Sequence, residues 1–93
     1  MPAVARLGDV CTGHECWPSR PNASASPSVF VNGRGVHRKS DAWQPHTCVS
    51  THSSLLASGS PTVFVNGLDC GRIGDPVVCG SKILTGSYNV FCN

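Results

Sequence analysis

The sequence predicts an all-β fold, a small pseudo-threefold cone of short strands and loops, from three observations. A phrase of the form Ser-Pro-x-Val-Phe-Val-Asn-Gly occupies residues 26–33 and 60–67, and a shortened copy ends the chain at residues 87–93. An Arg-x-x-Asp phrase follows the first two copies and also opens the chain at residues 6–9. Gly and Pro supply 10 and 7 of the 93 residues, and in a repeating chain this bias indicates turn-dense β-structure.

Each copy of the longer phrase predicts a turn, a short strand and a second turn. Val and Phe favour strands, so strands are expected at residues 29–31, 63–65 and 90–92. The Asn-Gly pairs at residues 32–33 and 66–67 favour tight hairpin turns. Gly8 and Gly74, inside two of the Arg-x-x-Asp phrases, suggest backbone with positive φ. Ser40 stands at this place in the middle unit, whose turn is therefore expected to differ in shape.

The third unit is split between the two ends of the chain. The last strand has no Arg-x-x-Asp phrase after it, and the first such phrase has no strand before it. Three units result only if the ends meet in space. Residues 1–93 are accordingly expected to form one closed domain without an extension.

Helix is expected almost nowhere. The longest stretch free of Gly and Pro, residues 46–58, is rich in Ser, Thr and β-branched residues, which are poor helix formers. It leaves room for a single helical turn at residues 53–57. Residues 42–59 otherwise form the longest insertion between repeat units.

Composition excludes several classes of function. Only 13 % of the residues are charged and the net charge is +2, which is too little for a nucleic-acid footprint. No segment reaches the roughly 18 apolar residues of a membrane span. The N-terminus lacks the charged and apolar regions of a signal peptide, so synthesis and folding in the cytosol are expected.

The repeat brings candidate metal ligands into register. Each unit places one ligand four or five residues after its aspartate, namely His14, His46 and Cys79. Equivalent positions of a closed threefold object converge on its axis, and imidazole and thiolate are zinc ligands. His52, in the longest insertion, is the preferred fourth ligand. Cys16 and Cys48 compete with it, because each stands two residues after a histidine.

The remaining polar and cysteine positions have structural interpretations. Cys16 and Cys48 could instead form a disulfide, because their histidine neighbours are expected to converge. Cys92 takes the place of a repeat valine and Cys70 follows an Asn-Gly turn, so both are expected to pack, whereas Cys11 is left open between pairing and remaining free. The repeated arginines and aspartates are expected to pair within or between units: Arg6, Arg38 and Arg72 with Asp9, Asp41 and Asp75.

These motifs together resemble the PAAR-repeat family. The likeness covers nearly the whole chain, in the Arg-x-Gly-Asp phrases at residues 6–9 and 72–75, Gly13-His14, both Val-Phe-Val-Asn-Gly strands, Cys79-Gly80-Ser81 and residues 86–91. It implies a sharp β cone that caps the trimeric, VgrG-like spike of type VI secretion systems or contractile phage tails, one monomer per trimer. It also implies a structural zinc ion near the tip, delivery out of the cell, passage through a target membrane and effectors as further partners.

The sequence leaves two other functions open. A small zinc hydrolase could use Glu15, the one glutamate in the chain, as its base. A secreted binder could be stapled by disulfides among the six cysteines. The resemblance and the repeat favour a docking role without catalysis.

Overall fold

The computed structural model describes residues 1–93 and contains six short strands and no helix. The strands are β1 (Phe30–Val31), β2 (Arg34–Gly35), β3 (Ala42–Thr47), β4 (Thr51–Leu55), β5 (Phe64–Val65) and β6 (Leu68–Asp69). They pair as three antiparallel hairpins, β1–β2, β3–β4 and β5–β6. No helix is present that could cross a membrane. The all-β prediction is confirmed.

The Asn-Gly pairs form the hairpin turns that the sequence predicts. Asn32 and Gly33 have φ of 55° and 77° between β1 and β2, and Asn66 and Gly67 have φ of 53° and 78° between β5 and β6. Left-handed backbone at both central positions matches the right-handed twist of the strands. These residue types tolerate that conformation, so the local sequence determines where each hairpin turns.

The two ends of the chain meet and complete the third unit. Ala3 bridges Phe91 in the same way that Gly35 pairs with Phe30 in the first hairpin. The backbone N–H of Val4 donates to the Val90 carbonyl at 3.0 Å. The predicted closure of the chain is therefore confirmed. The last copy adds one bridge at Phe91 rather than a strand over residues 90–92.

A ring of three backbone hydrogen bonds joins equivalent residues of the three units. Ala5 N–H donates to the Gly71 carbonyl at 2.9 Å, Gly71 N–H to His37 at 2.8 Å, and His37 N–H to Ala5 at 3.0 Å. Each residue directly precedes the arginine of its Arg-x-x-Asp phrase. The cyclic order shows that the units surround a common axis as a pseudo-threefold object.

Two apolar layers stack along this axis. The lower layer, at the hairpin end, contains Val4, Val36, Val65, Cys70 and Cys92. The upper layer contains Ala5, Cys11, Trp43, Leu56, Val77 and Ile83. Cys70 and Cys92 are buried as expected. The molecule is elongated, with extents of 36 × 23 × 22 Å, and the lower layer supports the base of the cone.

The longest insertion is a hairpin, which corrects the sequence-based expectation. The sequence leaves room for a helical turn at residues 53–57, but Thr51–Leu55 form β4 and pair with β3. Serine, threonine and β-branched side chains suit an extended backbone. The hairpin extends the cone beyond the upper layer, and Val49 in its turn is 90 % exposed.

Each repeated arginine pairs with the aspartate of its own phrase. The arginine Nε lies 3.0, 2.9 and 3.0 Å from the aspartate Oδ2 in the three units, in the pairs Arg6–Asp9, Arg38–Asp41 and Arg72–Asp75. The backbone N–H of each arginine donates to the same oxygen. Pairing within units is therefore the arrangement that forms, and it closes each turn.

The middle turn has the same shape as the other two, contrary to expectation. Ser40 adopts φ of 74°, close to the 90° of Gly8 and Gly74. The hydrogen bond from Asp41 N–H to the Arg38 carbonyl is 3.0 Å, as in the other units. The surrounding fold holds serine in a left-handed conformation that its Cβ disfavours.

Replacing Ser40 with glycine is therefore expected to stabilise the protein by about 0.5–1 kcal/mol. Urea denaturation measures the change in the free energy of unfolding. Gly74→Ser is the reciprocal control, because no atom lies within 4 Å of a Cβ built there and any loss reflects backbone strain alone. A Ser40→Gly variant no more stable than the wild type would contradict the strain.

His37 is a fully buried imidazole next to the axis. Its Nδ1–H donates to the Ser24 carbonyl at 2.9 Å, and its ring meets the Trp43 ring edge-on at 5.1 Å between centroids. Its Nε2 has no hydrogen-bond partner. Burial lowers the pKa of His37 below its ordinary value of 6.5, because desolvation penalises the charged ring.

This burial predicts a loss of stability in mild acid. Below pH 6.5 the unfolded state binds a proton at His37 that the folded state does not, so stability falls by up to about 1.4 kcal/mol per pH unit. His37→Ala, which installs the residue found at the equivalent Ala5, removes this contribution. Urea denaturation at pH 7.5 and 5.5 should give a smaller pH difference for the variant. Equal pH differences would show that His37 titrates normally.

Candidate metal centre

The β3–β4 hairpin presents two histidines side by side. His46 and His52 are cross-strand partners, although the sequence alone does not show that positions six apart face each other. A shift in register between Trp43 and His46 indicates a bulge at residues 44–45. In a regular strand Trp43 and His46, three residues apart, would point to opposite faces, whereas the bulge lets both of their side chains be buried. The hairpin thus fills the upper layer and supplies two imidazoles.

A tight turn over residues 14–17 supplies the third imidazole. His14 N–H donates to the Trp17 carbonyl at 3.0 Å and Trp17 N–H donates back at 2.8 Å. Glu15, at the first central position, has φ of 49°. The Trp17 ring stacks on His14 with centroids 5.1 Å apart, and its Nε1–H donates to the Ser50 carbonyl at 2.8 Å. Trp17 therefore covers the imidazoles and anchors this turn to the hairpin.

Four side chains converge at the apex, as the sequence predicts. The ligand atoms of His14, His46, His52 and Cys79 all lie within 4.8 Å of one another. The Nε2 atoms of the three histidines are 2.6–3.2 Å apart. Tetrahedral zinc with bonds of about 2.0–2.1 Å separates ligand nitrogens by roughly 3.3 Å, so a small outward movement makes room for an ion. The group could hold a metal ion.

The hydrogen bonds around the imidazoles favour metal binding. Nδ1–H of His46 donates to the Pro18 carbonyl at 2.7 Å. Because a carbonyl only accepts, this bond leaves the lone pair of Nε2 directed at the cluster, as in outer-sphere contacts of known metal sites. Desolvation, together with nearby His46 and His14, lowers the pKa of His52 below its ordinary value. The lowered pKa favours the neutral ring, which is the form that binds metals.

A buried arginine prepares Cys79 as a ligand. Arg20 Nη2 lies 3.4 Å from Cys79 Sγ, and Nη1 lies 3.0 Å from Cys11 Sγ. Its guanidinium lies over the Trp43 ring at 5.2 Å from the centroid. Burial on its own would raise the pKa of the Cys79 thiol, but hydrogen bonds from the Ser81 backbone N–H and from Arg20 lower it below its ordinary value. The thiolate, which is the ligand form, is thereby favoured.

The sequence did not identify Arg20 or Trp17 as parts of the site. Both lie in the loop between the first Arg-x-x-Asp phrase and the first strand, outside the repeat. Neither residue type is a metal ligand, so no ligand pattern marks them. Their role follows only from how this loop crosses the hairpin.

Cys16 and Cys48 form a disulfide, with their Cα atoms 5.8 Å apart. They are therefore not available as alternatives to His52, and the pairing that the sequence left open is present. Cys11, Cys70, Cys79 and Cys92 are free. One disulfide, placed at the apex, is far from the framework of bridges that a disulfide-stapled binder requires.

Comparison with known families agrees with the repeat pattern of the chain. Residues 12–85 match the family model described as the PAAR motif. No curated protein matches the chain. Because the match covers most of the 93 residues, this chain belongs to the PAAR-motif family.

Proposed function

We propose that this chain is a spike tip that caps a trimeric, VgrG-like β-helical spike, with one monomer on each trimer. Membership of the PAAR-motif family supports this role, because the family consists of structural spike-tip proteins. The single observation that carries it is the closed threefold base. One chain with three equivalent faces can contact all three subunits of a trimer at once.

The base carries a ring of exposed aromatic side chains. Phe30, Phe64 and Phe91 occupy equivalent positions and are 59 %, 57 % and 48 % exposed. Val29, Tyr88 and Met1 are further exposed apolar side chains near the same repeat strands. A trimeric β-helix ends in three open strand edges, and an apolar base built from two short hairpins and the joined chain ends suits such an end.

Mixing the protein with a trimeric spike tests this proposal. Light scattering of the purified complex is expected to give one monomer per trimer. A variant with Phe30→Asp, Phe64→Asp and Phe91→Asp should lose binding, because three charges would be buried in the contact. Val49→Asp, at the opposite end, is the matched control and should bind normally. Binding by the triple variant, or several monomers per trimer, would contradict docking through the base.

The proposed metal is one structural zinc ion bound by His14, His46, His52 and Cys79. Three imidazoles and a thiolate form a donor set typical of closed zinc sites. When bound, zinc would supply a cross-link between loops that have little core beneath them. Elemental analysis of purified protein is expected to find one equivalent of zinc.

The zinc hydrolase alternative gains no support from the site. Glu15 is exposed and lies outside the group of four ligand atoms. A catalytic zinc site keeps a coordination position for water, whereas here four protein side chains are available. A structural metal therefore fits better than a catalytic one.

The proposed localisation of the protein follows from its role as a spike tip. It is made in the cytoplasm, is loaded on a spike and leaves the cell when the secretion machine fires. The apex then meets a target membrane transiently, and effectors travel with the spike. A tagged copy of the protein found in the medium only when the secretion machine is active would support this delivery out of the cell.

A further inference from the structure

We propose that the Cys16–Cys48 disulfide controls how tightly the apex holds its metal ion. Cys16 stands two residues after His14, and Cys48 stands two residues after His46. The bridge thus joins the two segments that carry all three imidazoles. The inference rests on the proposed metal site and adds a dependence on redox state.

Apart from the disulfide, the turn that carries His14 meets the β3–β4 hairpin only through noncovalent contacts, among them the Trp17 ring beside His46 and His52. Trp17 Nε1–H donates to the Ser50 carbonyl, and the Pro18 carbonyl accepts from His46. Cys16 and Glu15 are exposed, and the hairpin turn nearby is exposed at Val49. The covalent link across 32 positions adds to these noncovalent contacts a restraint that fixes the distance between the two segments.

The other ligands do not depend on the disulfide. His46 and His52 are held together by the hairpin register, and Cys79 is held by its backbone N–H bond to Ser54 Oγ at 3.0 Å and by Arg20. Breaking the bridge would therefore release His14 from a site whose other three ligands stay in place. Metal binding must then reorder the released turn, which costs affinity.

The coupling runs in both directions. In reduction, two electrons and two protons convert the disulfide to two thiols, while a reducing dithiol becomes a disulfide. A bridge that strengthens metal binding is itself protected from reduction by the bound metal, by the same factor in the equilibrium constant. The protein would then hold its metal most tightly in an oxidising environment.

The two thiols formed by reduction could have the opposite effect on metal affinity. Cys16 and Cys48 would become two further thiolates next to the site, and thiolates bind zinc. If they replaced weaker ligands, reduction would tighten metal binding. The sign of the change in affinity distinguishes preorganisation by the bridge from ligand supply by its cysteines.

The test measures zinc affinity by competition with a chromogenic chelator under argon. Wild type is compared before and after reduction by a phosphine, which takes up oxygen from water as the disulfide becomes two thiols, and which is removed before zinc is added. Thiol titration of denatured, zinc-free samples, in which the buried cysteines react, should count four free cysteines before reduction and six after it. We expect the zinc dissociation constant to rise about 5- to 150-fold on reduction.

Two variants complete the experiment. Cys16→Ser with Cys48→Ser should show the same loss of affinity without reductant. Cys70→Val with Cys92→Val removes the other close cysteine pair, whose Sγ atoms are 3.7 Å apart, and should keep the redox dependence of the wild type. Unchanged or tighter zinc binding in the reduced or serine form overturns the coupling and leaves the metal site intact. Failure of the oxidised wild type to bind zinc overturns the metal site and the coupling together.

Discussion

Replacing Cys79 with serine is expected to remove the zinc ion proposed for the apex and to lower the unfolding temperature together. Structural zinc sites contribute apparent binding free energies of about 10–16 kcal/mol, as much as the whole stability of a small domain. Loss of even about 3 kcal/mol would lower the midpoint by roughly 12 °C or more in a chain of this size. His46→Ala should behave in the same way, as should treatment of the wild type with a strong chelator. Elemental analysis and thermal denaturation measure the two effects.

The controls for this prediction follow from the threefold repeat. Cys92→Val installs the residue present at the equivalent Val31 and Val65, and should retain the zinc. His37→Ala should also retain the zinc, but it will lose stability because His37 is fully buried. Zinc content, rather than stability, therefore separates ligands from buried histidines. Zinc retained by Cys79→Ser but lost from His37→Ala would refute the ligand set.

Replacing Asp9 with alanine is expected to destabilise the protein by about 3–5 kcal/mol, because it leaves the buried Arg6 charge without its partner. The Asp9 carboxylate accepts hydrogen bonds from Arg6 N–H at 2.7 Å, from Arg6 Nε at 3.0 Å and from Thr85 Oγ1 at 2.9 Å. Thr85 precedes the shortened C-terminal copy, so this carboxylate also stabilises the seam between the chain ends. Urea denaturation gives the change in the free energy of unfolding.

Asp69→Ala is the matched control, because Asp69 is only half-buried and takes part in no ion pair. It should cost well under 1 kcal/mol. Equal effects of the two substitutions would show that the buried pair contributes nothing special.

The same carboxylates predict a loss of stability in strong acid. Burial on its own would raise the pKa of Asp9, but hydrogen bonds from the Arg6 side chain and backbone lower it below the ordinary 3.8, and Asp41 behaves alike with Arg38. These carboxylates therefore make their full contribution to the free energy of unfolding above pH 3.8. That contribution is lost as the pH falls through their lower pKa values in the folded state. In Asp9→Ala the acid transition between pH 4 and pH 2 should be shallower than in the wild type.

Much of the fold could be predicted from spacing along the chain. Val-Phe-Val-Asn-Gly specifies a strand and a turn through local preferences, and its recurrence with Arg-x-x-Asp predicts three units around an axis. The shortened last copy predicts that the ends meet, and the Ala3–Phe91 bridge confirms it. His14, His46 and Cys79 could be named as candidate ligands because each follows the aspartate of its unit by four or five residues.

The tertiary structure decided the features that do not recur from one repeat unit to the next. The middle turn keeps its shape with Ser40 because the surrounding pairing outweighs the local cost of positive φ. Residues 51–55 form a strand because β3 lies beside them as a pairing partner. Local propensity cannot predict the presence of such a partner. His37 is buried where the other units have Ala5 and Gly71, and its environment depends on the Ser24 and Trp43 contacts.

The sequence by itself therefore determined the number of units, their closure and one candidate metal ligand from each, because these depend on repeated local spacing. Only the tertiary structure decided that His52 completes the group, that Cys16 pairs with Cys48, and that Arg20 lies against Cys79. Those contacts join loops that differ from unit to unit. The geometry of these contacts depends on a bulge in the β3–β4 hairpin and on how one loop crosses that hairpin. The repeat pattern of the sequence therefore does not predict them.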